Sequence, residues 1–206
     1  MTKTRGETRA RILRTAADLF QRQGYGATGL NQVLAESGAP KGSLYFHFPQ
    51  GKEQLAAEAV ALAGGEMGAR MASVVGSAGG AEEAVLGVGE LLARGLRESG
   101  FRDGCPVATV ALEQAGGEGP ISDVCQVTYG SWLSGLAEAF RGWGAADEEA
   151  DELAELVMSS LQGALLLAQV RRDTAVVSSV ARRVGSVVAR SLESAAHPDK
   201  GTGRNA

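Results

Sequence analysis

The chain has little of what several classes of function require. Two cysteines, Cys105 and Cys125, stand twenty positions apart. That spacing makes neither a disulfide framework nor a recognisable metal site. No neighbouring base or positive charge marks either thiol as activated, so a redox pair is a remote reading. The two histidines, His47 and His197, are distant from each other and lack a nucleophile partner, so no catalytic constellation forms and an enzyme is not expected. The longest apolar run, Ala164 to Ala168, is far below the roughly 20 residues that span a bilayer. The N-terminus is polar and charged, unlike a signal peptide. A reduced, cytoplasmic protein without a membrane partner is the expectation. No cofactor and no metal is implied.

What is present is helical patterning. Alanine and glycine are abundant, β-branched runs are short, and apolar residues mostly recur every three or four positions. The class is therefore all-α. A length of 206 residues allows one large domain or two small ones. Net charge is −4, which taken alone argues against nucleic acid, but its distribution argues for it. Residues 1–60 carry eight Lys/Arg against five Asp/Glu, hence +3, and residues 61–206 carry twelve against nineteen, hence −7. One end is basic and the rest is acidic.

The basic end contains the stretch around which the chain is organised, TGLNQVLAESGAPKGSLYFHFPQGK, from Thr28 to Lys52. Thr28 is placed to cap a short helix whose apolar face is Leu30, Val33 and Leu34. Gly38 can take the positive φ that closes it. Pro40 suits the first turn of a second helix, Lys41 to about Phe46. This pair of short helices about a tight turn has the geometry that enters a DNA major groove. Asn31 could read a base edge or bond a phosphate, and Lys41 could donate to guanine O6 and N7. Of Phe46 and Phe48, at least one is expected in a small core.

GAPKGSLYFHFPQGKEQL resembles the helix-turn-helix signature of TetR-type repressors, in the LmrA-like branch; RARILRTAADLFQRQGYGAT before it and GCPVATVALE in the body also resemble that family. The resemblance implies phosphate donation by Thr28, Tyr45, His47 and Lys52. It places Lys41 and Ser43 toward the groove floor, with Gly42 permitting close backbone approach. It also implies an N-terminal three-helix helix-turn-helix domain and a larger helical ligand-binding and dimerisation domain, about nine helices in all.

Taken in order, Met1 to Gly6 reads as a basic arm whose Lys3 and Arg5 could reach phosphates or a minor groove. A helix follows from Glu7 to Gln23, with Ile12, Leu13, Ala16, Leu19 and Phe20 inward and Gly24 as its stop. Lys52 to about Val75 reads as a long connector, its N-terminus adding free N–H groups to the Lys52 charge. Further helices are expected at about 81–97, 106–114, 121–143, 147–171 and 173–195, before a disordered tail, 197–206. The domains are then 1–52 for DNA binding and 53–196 for ligand binding and dimerisation.

A single short helix contacts too few base pairs for specificity, so a homodimer on a palindromic double-stranded operator is expected. Leu156, Ser160, Gly163, Leu167 and Val170 form one stripe for that interface. Val177, Val180, Val184, Val187, Val188 and Ser191 form another, and two helices per subunit would make a four-helix bundle. Phe101, Cys105, Val107, Val110, Tyr129, Trp132, Leu136, Gln162 and Leu166 could surround a cavity for a small apolar or aromatic inducer, though for any single one of them packed core is the plainer reading. The expected function is a repressor released from its operator by that ligand. The alternative is a constitutive or architectural DNA-binding regulator without an inducer.

Overall fold

The computed structural model describes residues 5–196, with side chains from 6 to 194. Residues 1–4 of the expected basic arm, Lys3 among them, and the expected disordered tail lie outside the described residues, as does the side chain of Arg5. Nine helices and no strand occur among the described residues. They are α1 (Arg5–Ala27), α2 (Leu30–Ser37), α3 (Ser43–His47), α4 (Gly51–Ser77), α5 (Ala81–Glu98), α6 (Ala108–Glu113), α7 (Pro120–Gly142), α8 (Asp147–Arg171) and α9 (Ala175–Ala196).

Helix α1 begins at Arg5 rather than Glu7, taking in Arg5 and Gly6. Its inward face is the expected one, with Ile12, Ala16, Leu19 and Phe20 buried. Gly24 breaks it at φ 81°, ψ 174°, but helical turns resume to Ala27. Thr28 does not cap α2. Gly29 holds that position without a side-chain hydrogen bond, and the Thr28 hydroxyl instead donates 2.7 Å to the Gly24 carbonyl. Gly38 closes α2 in the left-handed region as expected, at φ 60°. α3 starts two residues later than the sequence suggests, leaving Lys41 and Gly42 in the turn before it.

The N-terminal core is Ile12, Phe20, Val33, Leu44, Phe48 and Leu55, all fully or almost fully buried. α4 leaves this core and continues unbroken into the body. Arg9 pairs with Glu58 and Arg14 with Glu66 at 3.3 Å, so charges on α1 brace α4 along its length. Further on, Trp132 of α7 donates 3.1 Å to the Gly64 carbonyl. A β-carbon at Gly64 would lie 2.5 Å from Thr128 Cγ2, so α4 and α7 approach this closely because position 64 carries none.

The acidic first turn of α8, Asp147, Glu148 and Glu149, suits the helix dipole. Arg141 ties α7 to it through Asp147 and Asp151, at 2.9 Å each. Asp173 stands outside α9 and accepts the Ala175 N–H at 2.9 Å. By length and composition α8 is long and apolar enough to cross a membrane, a property that counting apolar runs overlooked. Here it packs between α7 and α9, with Leu153, Val157, Leu161, Leu165 and Ala168 buried.

Candidate nucleic-acid interface

Helix α3 is five residues long, and its spacing decides what it shows to solvent. Leu44 and Phe48, four apart, face the core at 1% and 0% exposure. Tyr45 and Phe46 fall on the other side, at 64% and 58%. Lys41, Gly42 and, on α2, Asn31 are also exposed, and they sit at the same end of the molecule. Ser43 is half-buried and its hydroxyl donates 2.6 Å to the Pro40 carbonyl, which leaves its lone pairs to accept. His47 is half-buried, edge-on between the rings of Phe46 and Phe48 at 5.0 and 6.4 Å.

Two expected phosphate donors are otherwise engaged. Thr28 is 1% exposed. Its hydroxyl points inward and its N–H bonds the Tyr25 carbonyl at 3.3 Å, so neither donor faces solvent; this corrects its assignment. Lys52 lies 4.3 Å above the Tyr25 ring and 3.5 Å from the Gly26 carbonyl. Its ammonium thus rests on the last turn of α1. Not all N–H groups at the start of α4 are free, either. The Gln50 N–H bonds Gln54 Oε1 at 3.0 Å and the Gly51 N–H bonds the Phe48 carbonyl at 2.9 Å. Arg11 has two buried guanidinium nitrogens, Nε and Nη1, without a partner.

Phe46 is the residue that sequence reasoning left undecided. The signal was available: with Leu44 and Phe48 as the inner pair, position 46 must lie opposite them on a helix. Glu113 of α6, which bonds the Gly26 N–H at 2.6 Å, was not anticipated at all.

Of the nine residues expected around a body cavity, five come together, Cys105, Tyr129, Trp132, Leu136 and Gln162, but the space they enclose is small. Cys105, Trp132, Leu136 and Gln162 border an apolar void of about 10 Å³, room for one water at most. Gln162 Nε2 donates 3.3 Å to Cys105 Sγ, and the Tyr129 hydroxyl lies 3.7 Å from the same sulfur. Burial, with the neighbouring thiol, raises the Tyr129 phenol far above its usual range. Burial also pushes the Cys125 thiol up, so thiolate is scarce there at neutral pH. Val107 and Val110 are fully buried core. Phe101 caps the end of α5 at φ 64°, with the Arg172 guanidinium 5.6 Å over its ring. Leu166 is 59% exposed on the outside of α8 and cannot line an interior site, a further correction.

Open space lies elsewhere. A groove of about 810 Å³ runs between α4 and α7, walled by Gly64, Gly65, Gly68, Val124 and Ser131, with Trp132 and Leu136 as floor. A more polar cleft of about 460 Å³ lies between α1, α4 and the end of α5, lined by Arg14, Asp18, Glu66, Arg70 and Arg102 among others.

The two stripes expected at a dimer interface differ. On α8, Leu156, Gly163, Leu167 and Val170 are exposed, Val170 by 75%, and Ser160 is half-buried. On α9 the stripe divides. Val177, Val184 and Val188 are buried within this chain, whereas Val180, Val187 and Ser191 are half-exposed. The valines at 177, 184 and 188 are one inward row, so assigning them to an interface is corrected.

Comparison with known proteins agrees with this layout. Residues 12–59 match bacterial regulatory proteins of the tetR family. Residues 81–183 match the C-terminal domain of LmrA/YxaF-like transcriptional regulators. The chain is 37% identical over 185 residues to the uncharacterised HTH-type transcriptional regulator YxaF of Bacillus subtilis, covering 90% of this chain and 97% of that one. It is 36% identical over 169 residues to the HTH-type transcriptional regulator LmrA of the same organism, covering 82% and 90%. Among solved structures, a TetR-family transcriptional regulator from Streptomyces coelicolor superposes with a TM-score of 0.77 at 25% identity, over 91% of this chain and 96% of that one. With a helix-turn-helix whose polar face is exposed, and with both of its parts matched, the chain belongs to the TetR family of transcriptional regulators, in the group with an LmrA/YxaF-like C-terminal domain.

Proposed function

We propose that this protein is a homodimeric, sequence-specific DNA-binding repressor that a small apolar or aromatic molecule releases from a palindromic operator. The observation that carries the DNA part is the exposure of Tyr45 and Phe46 beside Lys41 and Asn31, on a helix anchored from below by Leu44 and Phe48. Folding alone gives no reason to leave two aromatic rings in water. Phosphate contacts would come from Tyr45, His47 and Lys52, the last after leaving Tyr25. Base contacts would come from Lys41, Ser43 and Asn31. The +3 charge of residues 1–60 would steer this end toward the duplex.

The working units are 1–52 for DNA and 53–196 for ligand and dimer, with α4 crossing the boundary. A dimer would use the exposed stripe of α8 with Val180, Val187 and Ser191 of α9. The α4–α7 groove falls within the usual 300–1,000 Å³ range for ligand sites, and its floor residues Trp132 and Leu136 also border the small inner void. A ligand seated there would press on α4, whose start adjoins the DNA-reading helix α3. Release requires that it bind the DNA-incompetent spacing more tightly than the competent one.

The small size of the inner void favours the rival reading, a constitutive regulator with a solid body. Selection of bound duplexes from random DNA tests the first part: a two-fold symmetric consensus is expected, and no enrichment at moderate salt would refute it. A screen of apolar and aromatic compounds against the selected duplex decides the second. Loss of binding with one compound class supports release; uniform retention supports the constitutive reading.

A further inference from the structure

GCPVATVALE, residues 104–113, resembles the family, yet DNA reading does not use it. In the fold it is a strap laid across the end of α1. The Gly104 carbonyl accepts Gln21 Nε2 at 2.7 Å, and the Thr109 hydroxyl donates 3.3 Å to the Gln21 carbonyl. Asp103, just before it, pairs with Arg22 at 3.0 Å. The strap ends on Glu113, whose Oε2 accepts the Gly26 N–H at 2.6 Å across 87 positions of sequence.

That hydrogen bond falls on the last, kinked turn of α1, just before α2. Gly24 sits in it at φ 81°, and a β-carbon there would fall 1.8 Å from Glu113 Oε1. The carboxylate therefore occupies room that only a glycine leaves. Two more groups hold the same turn. The Thr28 hydroxyl bonds the Gly24 carbonyl, and the Lys52 ammonium lies over Tyr25 beside the Gly26 carbonyl. The body, through α6, and the start of α4, through Lys52, thus grip one short backbone segment.

We propose that Glu113 is a positioning residue for DNA reading: from the body it fixes the 24–28 turn, and with it the placement of α2 and of Lys52 against the recognition helix. This rests on the DNA-binding function proposed above. The contact is exposed to solvent, so it is weak enough to be made and broken reversibly, and any shift of α6 removes an acceptor from the turn. The rest of the strap is anchored by buried side chains, Cys105, Val107 and Val110.

The test has two tiers. Wild-type protein must first enrich a duplex from a random pool, and failure to do so rejects the DNA-binding function itself; retention of that duplex by Tyr45→Ala would overturn the assigned reading face and this proposal with it. On the same duplex, Glu113→Ala is then expected to bind about fivefold more weakly, a loss in line with one exposed hydrogen bond. Glu113→Asp, which withdraws the acceptor by one methylene, should behave like the alanine variant and covers the case in which that one misfolds. Glu113→Gln, which keeps an acceptor oxygen, should bind within about twofold of wild type by the same reasoning. Backbone hydrogen exchange over residues 24–29 should quicken in Glu113→Ala and Glu113→Asp, with α8, α9 and the solution mass unchanged. Wild-type affinity in both variants, or equal losses in all three, would overturn the proposal. So would faster exchange spread through α8 and α9.

Discussion

The outer face of α3 and the helical body treat their aromatic residues in opposite ways. Near the start of α4, Tyr45 and Phe46 stand 64% and 58% exposed; in the body, Trp132 and Phe140 are 5% and 0% exposed. A buried ring is accounted for by the core it fills, because burial of apolar surface drives folding. An exposed pair on a five-residue helix is not, and calls for something outside the chain. The lesson is that function in this protein is easiest to see where hydrophobic logic is broken. It is hardest to see in the body, where the wall of a ligand site would be made of the same residue types as a packed core.

The sharpest way to break this comparison is to truncate two nearby rings, Phe46 on α3 and Phe48 at its end. Phe48→Ala should cost about 3–5 kcal/mol of stability by denaturant unfolding, the usual range for a buried phenylalanine. Phe46→Ala, two positions away, should change stability by less than about 0.5 kcal/mol, as exposed positions generally do. Equal losses would place both rings in the core. Next in size, Tyr45→Ala combined with Lys52→Ala should weaken binding to a selected duplex by about a hundredfold or more while the dimer persists, since two charge or hydroxyl contacts to phosphate go at once. An unchanged gel shift at moderate salt would contradict it.

On the body, Leu167→Asp with Val170→Asp should halve the solution mass in sedimentation and leave helical content intact. Those side chains are exposed within one subunit, so a dimer interface is where two new charges would be costly. A mass unaffected by both charges would move the interface elsewhere.

The smallest effect concerns Asp18 in the cleft between α1, α4 and α5. Burial raises its carboxyl above the usual carboxylate value; Arg22 and Arg14 oppose this, while Asp103 and Glu66 add to it. A raised folded-state value means that ionisation works against the fold. The stabilising share is present below the unfolded-state value and is lost as pH rises through the folded-state one. Asp18→Asn should therefore raise the thermal midpoint slightly at pH 7 and not at about pH 3, below the ordinary aspartate range. A drop at pH 7 would show that attraction to Arg22 outweighs burial.

Much of the fold was legible from helical spacing. α8 is bounded by Asp147 and Arg171 as expected, and α4, α5 and α7 fall within about two residues of expectation. The inner face of α1 was legible for the same reason. Thr28 was misread because a threonine before an apolar helix looks like a cap, whereas Gly24 folds back and takes its hydroxyl. The α9 valines were misread because a stripe of five valines and a serine is wide enough to serve two directions, and only the position of α5 and α8 beside it separates inner from outer. Glu113 was invisible because its partner is a backbone N–H 87 residues away, a relation without local signature.

From the residues alone came the helical class, the basic end set against an acidic remainder, and a two-helix reader with its turn glycine. These follow from nearest-neighbour chemistry: periodicity, φ preference and charge. Tertiary packing alone decided that Thr28 faces inward, that the void beside Cys105 is nearly closed, and that a carboxylate from α6 reaches the turn beneath Lys52. Those outcomes depend on how far apart whole helices settle, which is set by side chains meeting across the fold and not by any one segment.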